Sequence, residues 1–180
     1  MSLQPQEFVA KAMAVVLHPS DQLKFSMSAE FLRAIGFLRL KVAGQSMLPT
    51  IWPGDILTIE SRRSGELTVG DIGLFEHRAR FFIHRIQRLL ILDGSLHFVT
   101  RGDSASHDDP PFPAESLLGK VVQIEHGKKT FVPAHHPSSR IQCLGWIFCH
   151  CDRVRNLALS VHSRQLRLQE AELSFSQEST

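Results

Sequence analysis

A break between two apolar runs is the feature that most limits how this chain can fold. Residues 81–92 and 96–100 are rich in strand-forming side chains and are separated by Asp93-Gly94-Ser95. This pattern predicts a β-hairpin, because Asp and Gly tolerate the positive φ angles of a tight turn between antiparallel strands. Shorter β-rich runs precede it at residues 38–42, 55–60 and 72–75. The sequence therefore predicts a mainly β, antiparallel domain in the middle of the chain.

The two ends of the chain have helical patterns. Residues 29–35 suit a short helix that stops at Gly36, and residues 8–17 suit another. Toward the C-terminus, apolar residues at helical spacing predict one amphipathic helix over residues 141–161. Its apolar stripe consists of Leu144, Ile147, Phe148, Cys151, Val154, Leu157, Ala158 and Val161. Residues 174–180 are predicted to be a frayed tail.

These patterns divide the chain into three predicted parts. They are an N-terminal helical extension over residues 1–36, a β domain over 37–135, and a C-terminal amphipathic helix with its tail over 136–180. A chain of 180 residues, 43% of them hydrophobic, can bury a substantial core. Its net charge of +2 is too small to favour nucleic acid as a partner, and its ten histidines are scattered along the chain.

Membrane insertion is not indicated by the sequence. No segment approaches the ~18–20 continuous apolar residues that a spanning helix needs. The apolar run at residues 12–17 is short and follows a single lysine, Lys11, which is unlike a secretory signal. We therefore expect a cytoplasmic protein. Residues 141–161 are expected to pack on the β domain, or alternatively to contact a membrane surface or a partner helix.

The cysteines do not predict a metal site. Cys143, Cys149 and Cys151 lie close to His150, but their spacing matches no common zinc pattern. Some of them fall on the apolar face of the predicted helix, where reduced thiols are ordinary. We expect no metal and no cofactor.

A serine surrounded by glycine and proline is the strongest chemical signal. Residues 42–55 place Ser46 between Gly44 and the prolines Pro49 and Pro53. Gly44 allows close approach of another backbone, and the prolines stiffen the return toward the next strand. Ser46 alone would be read as a turn-capping hydroxyl. As a nucleophile it would need a base, because its hydroxyl is protonated near neutral pH.

The segment Gly-x-Ser-Met-x-Pro-Thr, followed by Gly-Asp, resembles the serine box of type I signal peptidases and their LexA-type self-cleaving relatives. Further matching blocks follow in the same order, at residues 69–75, 82–86, 100–103 with 108–109, and 119–122. The resemblance covers roughly residues 40–125. It implies an antiparallel β domain of the signal peptidase/LexA type that acts as a serine endopeptidase on a peptide or precursor protein.

The resemblance also indicates the base. Where common bacterial signal peptidases have a lysine, this chain has His84, as in the endoplasmic-reticulum, archaeal and sporulation-type branch. Histidine accepts a proton near neutral pH without the burial that a neutral lysine requires. The alternative interpretation is a histidine on a strand that alternates between core and solvent. Lys120 is the only lysine downstream of Ser46 in the matched region, and would serve if the protein used a lysine base.

A histidine base needs a carboxylate on its other ring nitrogen. Residue-by-residue matching to the histidine branch places Asp109 at the orienting position and ranks it first. Asp103 ranks second and matches an acidic position that organises the loop. Asp108 is expected to be a turn residue, and His107 an exposed one. The paired asparagines of that branch are replaced here by Ser104-Ala105.

The oxyanion and substrate-binding segment is expected to be the serine box itself. The Ser46 backbone N–H is the natural first oxyanion donor. Gly44 occupies the place of a hydroxyl donor found in some relatives, and Gln45 offers a further N–H. Met47 and Pro49 complete the predicted segment.

Three functional classes follow from these patterns. The leading one is a soluble serine endopeptidase that uses Ser46, His84 and Asp109. The second is a LexA-type self-cleaving regulator, although the only upstream Ala-Gly or Cys-Gly bond is Ala43-Gly44, which lies too near Ser46 to enter its own site. The third is a catalytically inactive peptide-binding module on the same scaffold.

Overall fold

The computed structural model describes residues 19–77 and 80–177. The elements, in chain order, are α1 (Pro19–Ile35), β1 (Phe37–Lys41), β2 (Ile56–Glu60), β3 (Ile72–His77), β4 (Arg80–Leu92), β5 (Ser95–Arg101), β6 (Phe112–Pro113), β7 (Leu117–His126), β8 (Lys129–Phe131), α2 (Ser139–His150) and α3 (Asp152–Gln177). Short 3₁₀ turns lie at Ser64–Glu66 and Ala114–Ser116.

The strands form one antiparallel sheet, which confirms the predicted mainly β fold. The spatial order is β1-β2-β7-β3-β4-β5-β6, and β8 pairs with β7 outside this path. Strand β7 therefore lies between β2 and β3, although it follows both in sequence. The late part of the β domain thus joins its two earlier halves.

The predicted hairpin joins β4 to β5. Leu92 pairs directly with Ser95, so the loop is only Asp93 and Gly94. Both residues have positive φ angles, 50° and 77°. A two-residue turn of this kind matches the twist of the two antiparallel strands. Asp and Gly tolerate the positive φ angles that it needs, so the local sequence was enough to predict it.

The core of the domain has two clusters of buried side chains. One combines Ala29 and Leu32 of α1 with residues from the sheet and the serine box: Met47, Ile51, Leu57, Ile59, Ile72, Leu74, Leu118, Val121 and Ile124. The other is aromatic and surrounds Phe75, Phe98 and Phe112, with Phe82 packed against them. The first cluster anchors the segment around Ser46, and the second supports the strand that carries His84.

The helical ends differ from the predictions. Helix α1 begins at Pro19 instead of residue 29 and ends before Gly36, whose φ is 89°. The predicted helix over residues 8–17 lies outside the described residues. Helix α3 continues to Gln177, so the prediction of a frayed tail from residue 174 is wrong up to that point.

The predicted single C-terminal helix is wrong, because it is interrupted at Cys151. Cys151 has φ −125° and ψ 87°, which are not helical values. Of the predicted apolar stripe, Phe148 is buried, whereas Leu157 and Val161 are 66% and 57% exposed. The stripe does not form one buried face, because the break at Cys151 divides it between two separate helices, α2 and α3. Contact of residues 141–161 with a membrane surface or partner helix stays a prediction. In the described part of the chain, no helix is long and apolar enough to span a membrane.

Candidate active site

Ser46 lies at the exposed tip of the loop between β1 and β2. Backbone hydrogen bonds from Val42 to Asp55 and from Gly54 to Val42, both 2.8 Å, close the base of this loop. Met47, immediately after the serine, is 4% exposed and packs in the core. The Met47 side chain therefore does not line the site, contrary to the prediction. It anchors the loop in the core, and the neighbouring Ser46 side chain is left exposed.

His84 lies on β4, directly opposite Gly73 of β3. The Phe82 ring meets the imidazole edge-on, with a centroid separation of 5.5 Å. The His84 side chain is 13% exposed. The imidazole is therefore packed against the aromatic cluster and is largely shielded from solvent.

The structure brings Ser46, His84 and Asp109 together in one hydrogen-bonded chain. His84 Nε2 lies 3.0 Å from Ser46 Oγ, and His84 Nδ1 lies 2.6 Å from Asp109 Oδ2. An ionised carboxylate only accepts hydrogen bonds, so Nδ1 donates its proton to Asp109. Nε2 then has a free lone pair and accepts the Ser46 hydroxyl proton. This is the tautomer that a general base needs.

Thr100 holds the Asp109 carboxylate in place. Its hydroxyl donates to Asp109 Oδ2 at 2.6 Å, and its carbonyl accepts the Asp109 backbone N–H at 2.7 Å. Thr100 is fully buried at the end of β5. Sequence reasoning did not assign this residue a role, although it belongs to the matched Thr-Arg-Gly-Asp block.

Asp103 has different partners. Arg85, the residue after His84, donates to its two carboxylate oxygens from Nε at 2.9 Å and from Nη2 at 2.8 Å. Thr50, in the serine loop, also donates to Asp103. The Asp103 and Arg85 side chains are 7% and 5% exposed. Asp103 therefore ties the His84 strand to the serine loop, which agrees with a loop-organising position.

Arg85 was not singled out by sequence reasoning, yet it joins several segments. Its Nη1 donates to the carbonyl oxygens of Gly70 at 2.8 Å and Ala134 at 2.7 Å. Because a bidentate guanidinium fixes both distance and angle, these contacts restrain the orientation of β4. The one feature of the sequence that could have drawn attention to Arg85 is its position directly after the predicted base, His84.

Ser104 joins the loop that carries the carboxylates to the serine loop. Its backbone N–H and its hydroxyl both donate to the Ser46 carbonyl at 3.0 Å. A side chain at the preceding Gly102 would collide with that carbonyl. Ser104 therefore ties the two loops together through both its backbone and its side chain.

The remaining residues of the carboxylate loop lie on the surface. Asp108 pairs with the exposed side chains of Arg88 at 2.9 Å and Arg101 at 3.3 Å. His107 is exposed, and its ring contacts the Ser106 hydroxyl at 2.6 Å. These contacts agree with the expected turn and surface roles.

The predicted oxyanion segment is open to solvent. Gly44 and Gln45 are exposed, and a side chain at Gly44 would find no atom within 4 Å. Pro49 is half-buried, and its carbonyl accepts the Trp52 indole N–H at 2.8 Å. A substrate carbonyl can therefore approach the Ser46 backbone from the Gly44 side.

Lys120 is held by a carboxylate. Its Nζ lies 2.7 Å from Oδ1 of Asp71, which is 2% exposed. Burial alone would raise the pKa of Asp71, but the hydrogen bond and charge of Lys120, with contributions from Thr68 and His135, lower that pKa below its ordinary 3.8. Lys120 thus serves as the counter-ion of a buried acid.

The cysteines are free thiols, with Cys143 exposed and Cys149 and Cys151 half-buried. Within residues 19–77 and 80–177, no group of three or more His, Cys, Asp or Glu side chains is arranged to hold a metal ion.

Comparison with known proteins places this geometry in a family. No curated protein matches the chain significantly. The family model described as Peptidase S24-like matches residues 14–122, which is more than half of the chain and includes Ser46, His84 and Asp109. This protein belongs to the Peptidase S24-like family.

Proposed function

We propose that this protein is a serine endopeptidase in which Ser46 is the nucleophile, His84 the general base and Asp109 the orienting carboxylate. The observation that carries the proposal is the hydrogen-bonded chain through the two imidazole nitrogens, 3.0 Å to Ser46 and 2.6 Å to Asp109. Family membership supports the reaction class. The substrate is a peptide or a precursor protein.

The reaction follows from these contacts. His84 Nε2 takes the Ser46 proton as Oγ attacks the scissile carbonyl, and Asp109 stabilises the imidazolium that forms. The Ser46 backbone N–H stabilises the oxyanion, with Gln45 as the adjacent donor. The imidazolium then protonates the leaving amine. Water, activated by the same histidine, hydrolyses the acyl-enzyme and restores Ser46.

The environment of Lys120 favours histidine over lysine as the base. A lysine base must be neutral, whereas Lys120 faces the buried carboxylate of Asp71 at 2.7 Å. That partner stabilises the ammonium form. This contact therefore supports the proposal of a histidine base, as in the histidine branch of the signal peptidase-like enzymes.

Self-cleavage and an inactive binding module are the alternatives. Against self-cleavage, the Ala-Gly bond that this sequence offers upstream of Ser46, Ala43-Gly44, lies only two residues from the nucleophile, too near to enter its own site. Against an inactive module, Asp109 and His84 retain the geometry that only the reaction requires. One experiment can separate the three functions.

Purified protein is incubated with a chymotryptic peptide library from a bacterial proteome, and new termini are identified by mass spectrometry. We expect the wild type to cut library peptides in trans, with no loss of its own mass. Ser46→Ala and His84→Ala should abolish cutting, by on the order of 10⁶ in turnover, since the two act as one unit. Ser106→Ala, an exposed serine in the neighbouring loop, is the matched control. Cleavage only of its own chain, or equal cutting by Ser46→Ala, would refute the proposal.

A further inference from the structure

A groove runs from the serine loop along helix α3. Gln45, Pro53 and Gly54 line one side, and Asn156, Ser160 and Ser163 line the other. Its volume is about 560 Å³. Gln45 immediately precedes Ser46, so the groove borders the loop that carries the proposed nucleophile.

Specific contacts hold α3 in place as a wall of this groove. His162 is 8% exposed and donates from Nε2 to the Pro53 carbonyl at 2.9 Å. Gly54 has a φ of 96°, and a Cβ there would lie 2.7 Å from Leu166 Cδ1. The helix therefore packs directly on the serine-loop backbone, at a position whose positive φ favours glycine.

The α3 side of the groove combines two serines, Ser160 and Ser163, with the apolar side chains of Leu159 and Leu166. The Ser160 hydroxyl donates to the Asn156 carbonyl at 2.8 Å, and the Ser163 hydroxyl donates to the Ser160 carbonyl at 3.0 Å. Both hydroxyls are thus turned back to their own helix. From Asn156 to Leu166 the helix rises about 15 Å, at 1.5 Å per residue. That length accommodates about four or five residues of an extended peptide.

A basic cavity adjoins the groove at His162 and Leu166. Its volume is about 240 Å³. Lys128, in the turn between β7 and β8, and Lys129, the first residue of β8, line this cavity together with His126, Gly127 and Gln165. None of its described lining residues is acidic. Asp55 lies behind His126, at 2.7 Å from its Nδ1, and is 2% exposed.

We propose that this groove binds the substrate polypeptide beside the scissile bond, and that Lys128 and Lys129 select an acidic side chain about four to seven residues from the cleaved bond. The inference rests on the proposed function. The matched family region ends at residue 122, so α3 and both lysines lie outside it. Substrate selection would then come from residues that follow the matched region of the chain.

The peptide library described above tests this specificity. We expect wild-type products to be enriched in Asp or Glu at one fixed distance from the cut. Lys128→Gln combined with Lys129→Gln should remove the enrichment and raise KM for acidic peptides about tenfold at unchanged kcat, since the contact is made equally before and during reaction. The control, Arg62→Gln with Arg140→Gln, removes the same charge from exposed positions elsewhere. Products with no acidic preference, or a preference that the lysine variant retains, would overturn the inference.

A steric variant tests the groove itself. Ser160→Trp should raise KM for peptides long enough to fill the groove, while peptides that end at the scissile bond on that side are cut as before. Leu157→Trp, on the same helix at a position that is 66% exposed and does not line the groove, is the control. Equal effects of Ser160→Trp on both peptide lengths would refute a substrate-binding role.

Binding without catalysis separates this inference from the proposed function. Immobilised Ser46→Ala protein is incubated with the same library, and retained peptides are identified. We expect retained peptides to be acidic, to be lost in the Lys128→Gln/Lys129→Gln background, and to elute with salt. If Ser46→Ala retains acidic peptides through the two lysines but the wild type cuts none, the peptidase is refuted and the groove is kept. Cutting without lysine-dependent retention or selection would refute the groove and keep the peptidase.

Discussion

Asp103 and Asp109 should fail in opposite ways when each is changed to asparagine. Asp103→Asn leaves the Arg85 guanidinium, 5% exposed, without its counter-ion. Removing one partner of a buried ion pair costs about 3–5 kcal/mol, and we expect the lower end because asparagine keeps the volume and one acceptor. For a chain of this length each kcal/mol lowers Tm by about 2–4 °C, so the drop should be roughly 6–12 °C.

Asp109→Asn should leave stability nearly unchanged and abolish activity. The Asp109 side chain is 31% exposed, and its contacts are hydrogen bonds to His84 and Thr100. Without the carboxylate, the imidazole loses the tautomer that accepts the Ser46 proton, a loss of about 10⁴ in kcat.

Urea unfolding and peptide cleavage are measured on the same preparations. Asp108→Asn is the matched control, because its partners Arg88 and Arg101 are largely exposed and such pairs contribute about 0–1 kcal/mol. A stable Asp103→Asn protein with a 10⁴-fold slower reaction, beside an active Asp109→Asn protein, would reverse the assignment of the two carboxylates.

Further predictions concern residues around the proposed site. Under conditions in which each variant is folded, Lys120→Ala should retain most of the cleavage activity and His84→Ala should retain none. The opposite result in the cleavage assay would assign the protein to the class that uses a serine and a lysine. Asp71 has a lowered pKa, so its contribution to the free energy of unfolding is present above its ordinary value of 3.8 and is lost as the pH falls through the lower native pKa. Asp71→Asn should therefore flatten the stability–pH curve below about pH 4, as measured by urea unfolding, and an unchanged slope would contradict the ion-pair explanation. Thr100→Val keeps the shape but removes the hydroxyl held at 2.6 Å from Asp109, so kcat should fall about tenfold with little change in KM. An unchanged kcat would mean that the backbone alone positions the carboxylate.

Local sequence signals predicted the elements that local chemistry determines. The Asp93-Gly94 turn has both residues at positive φ, as those residue types favour. The alternating run at residues 38–42 became β1, shifted by one residue to Phe37–Lys41. In such segments the secondary structure that neighbouring residues favour locally is also the one that the fold requires, so the sequence alone is sufficient to predict it.

Tertiary contacts decided what the sequence left open. Helical spacing continues across Cys151, so nothing local indicated that α2 would end there and α3 begin at Asp152. Likewise, the spacing of Asp103 and Asp109 suits either one as the partner of His84. The difference arises because the buried Arg85 claims Asp103, a contact between residues 18 positions apart.

Where β7 lies in the sheet has a consequence for biosynthesis. Ser46 is carried between β1 and β2, whereas His84 is carried on β4, and of the described strands only β7 pairs with both β2 and β3 to join these parts of the sheet. A ribosome releases residues 117–126 after the nucleophile, the base and the carboxylate have all emerged. We therefore expect the nascent chain to stay proteolytically silent until this strand inserts. A potentially destructive nucleophile would then become competent only when the surrounding sheet is complete.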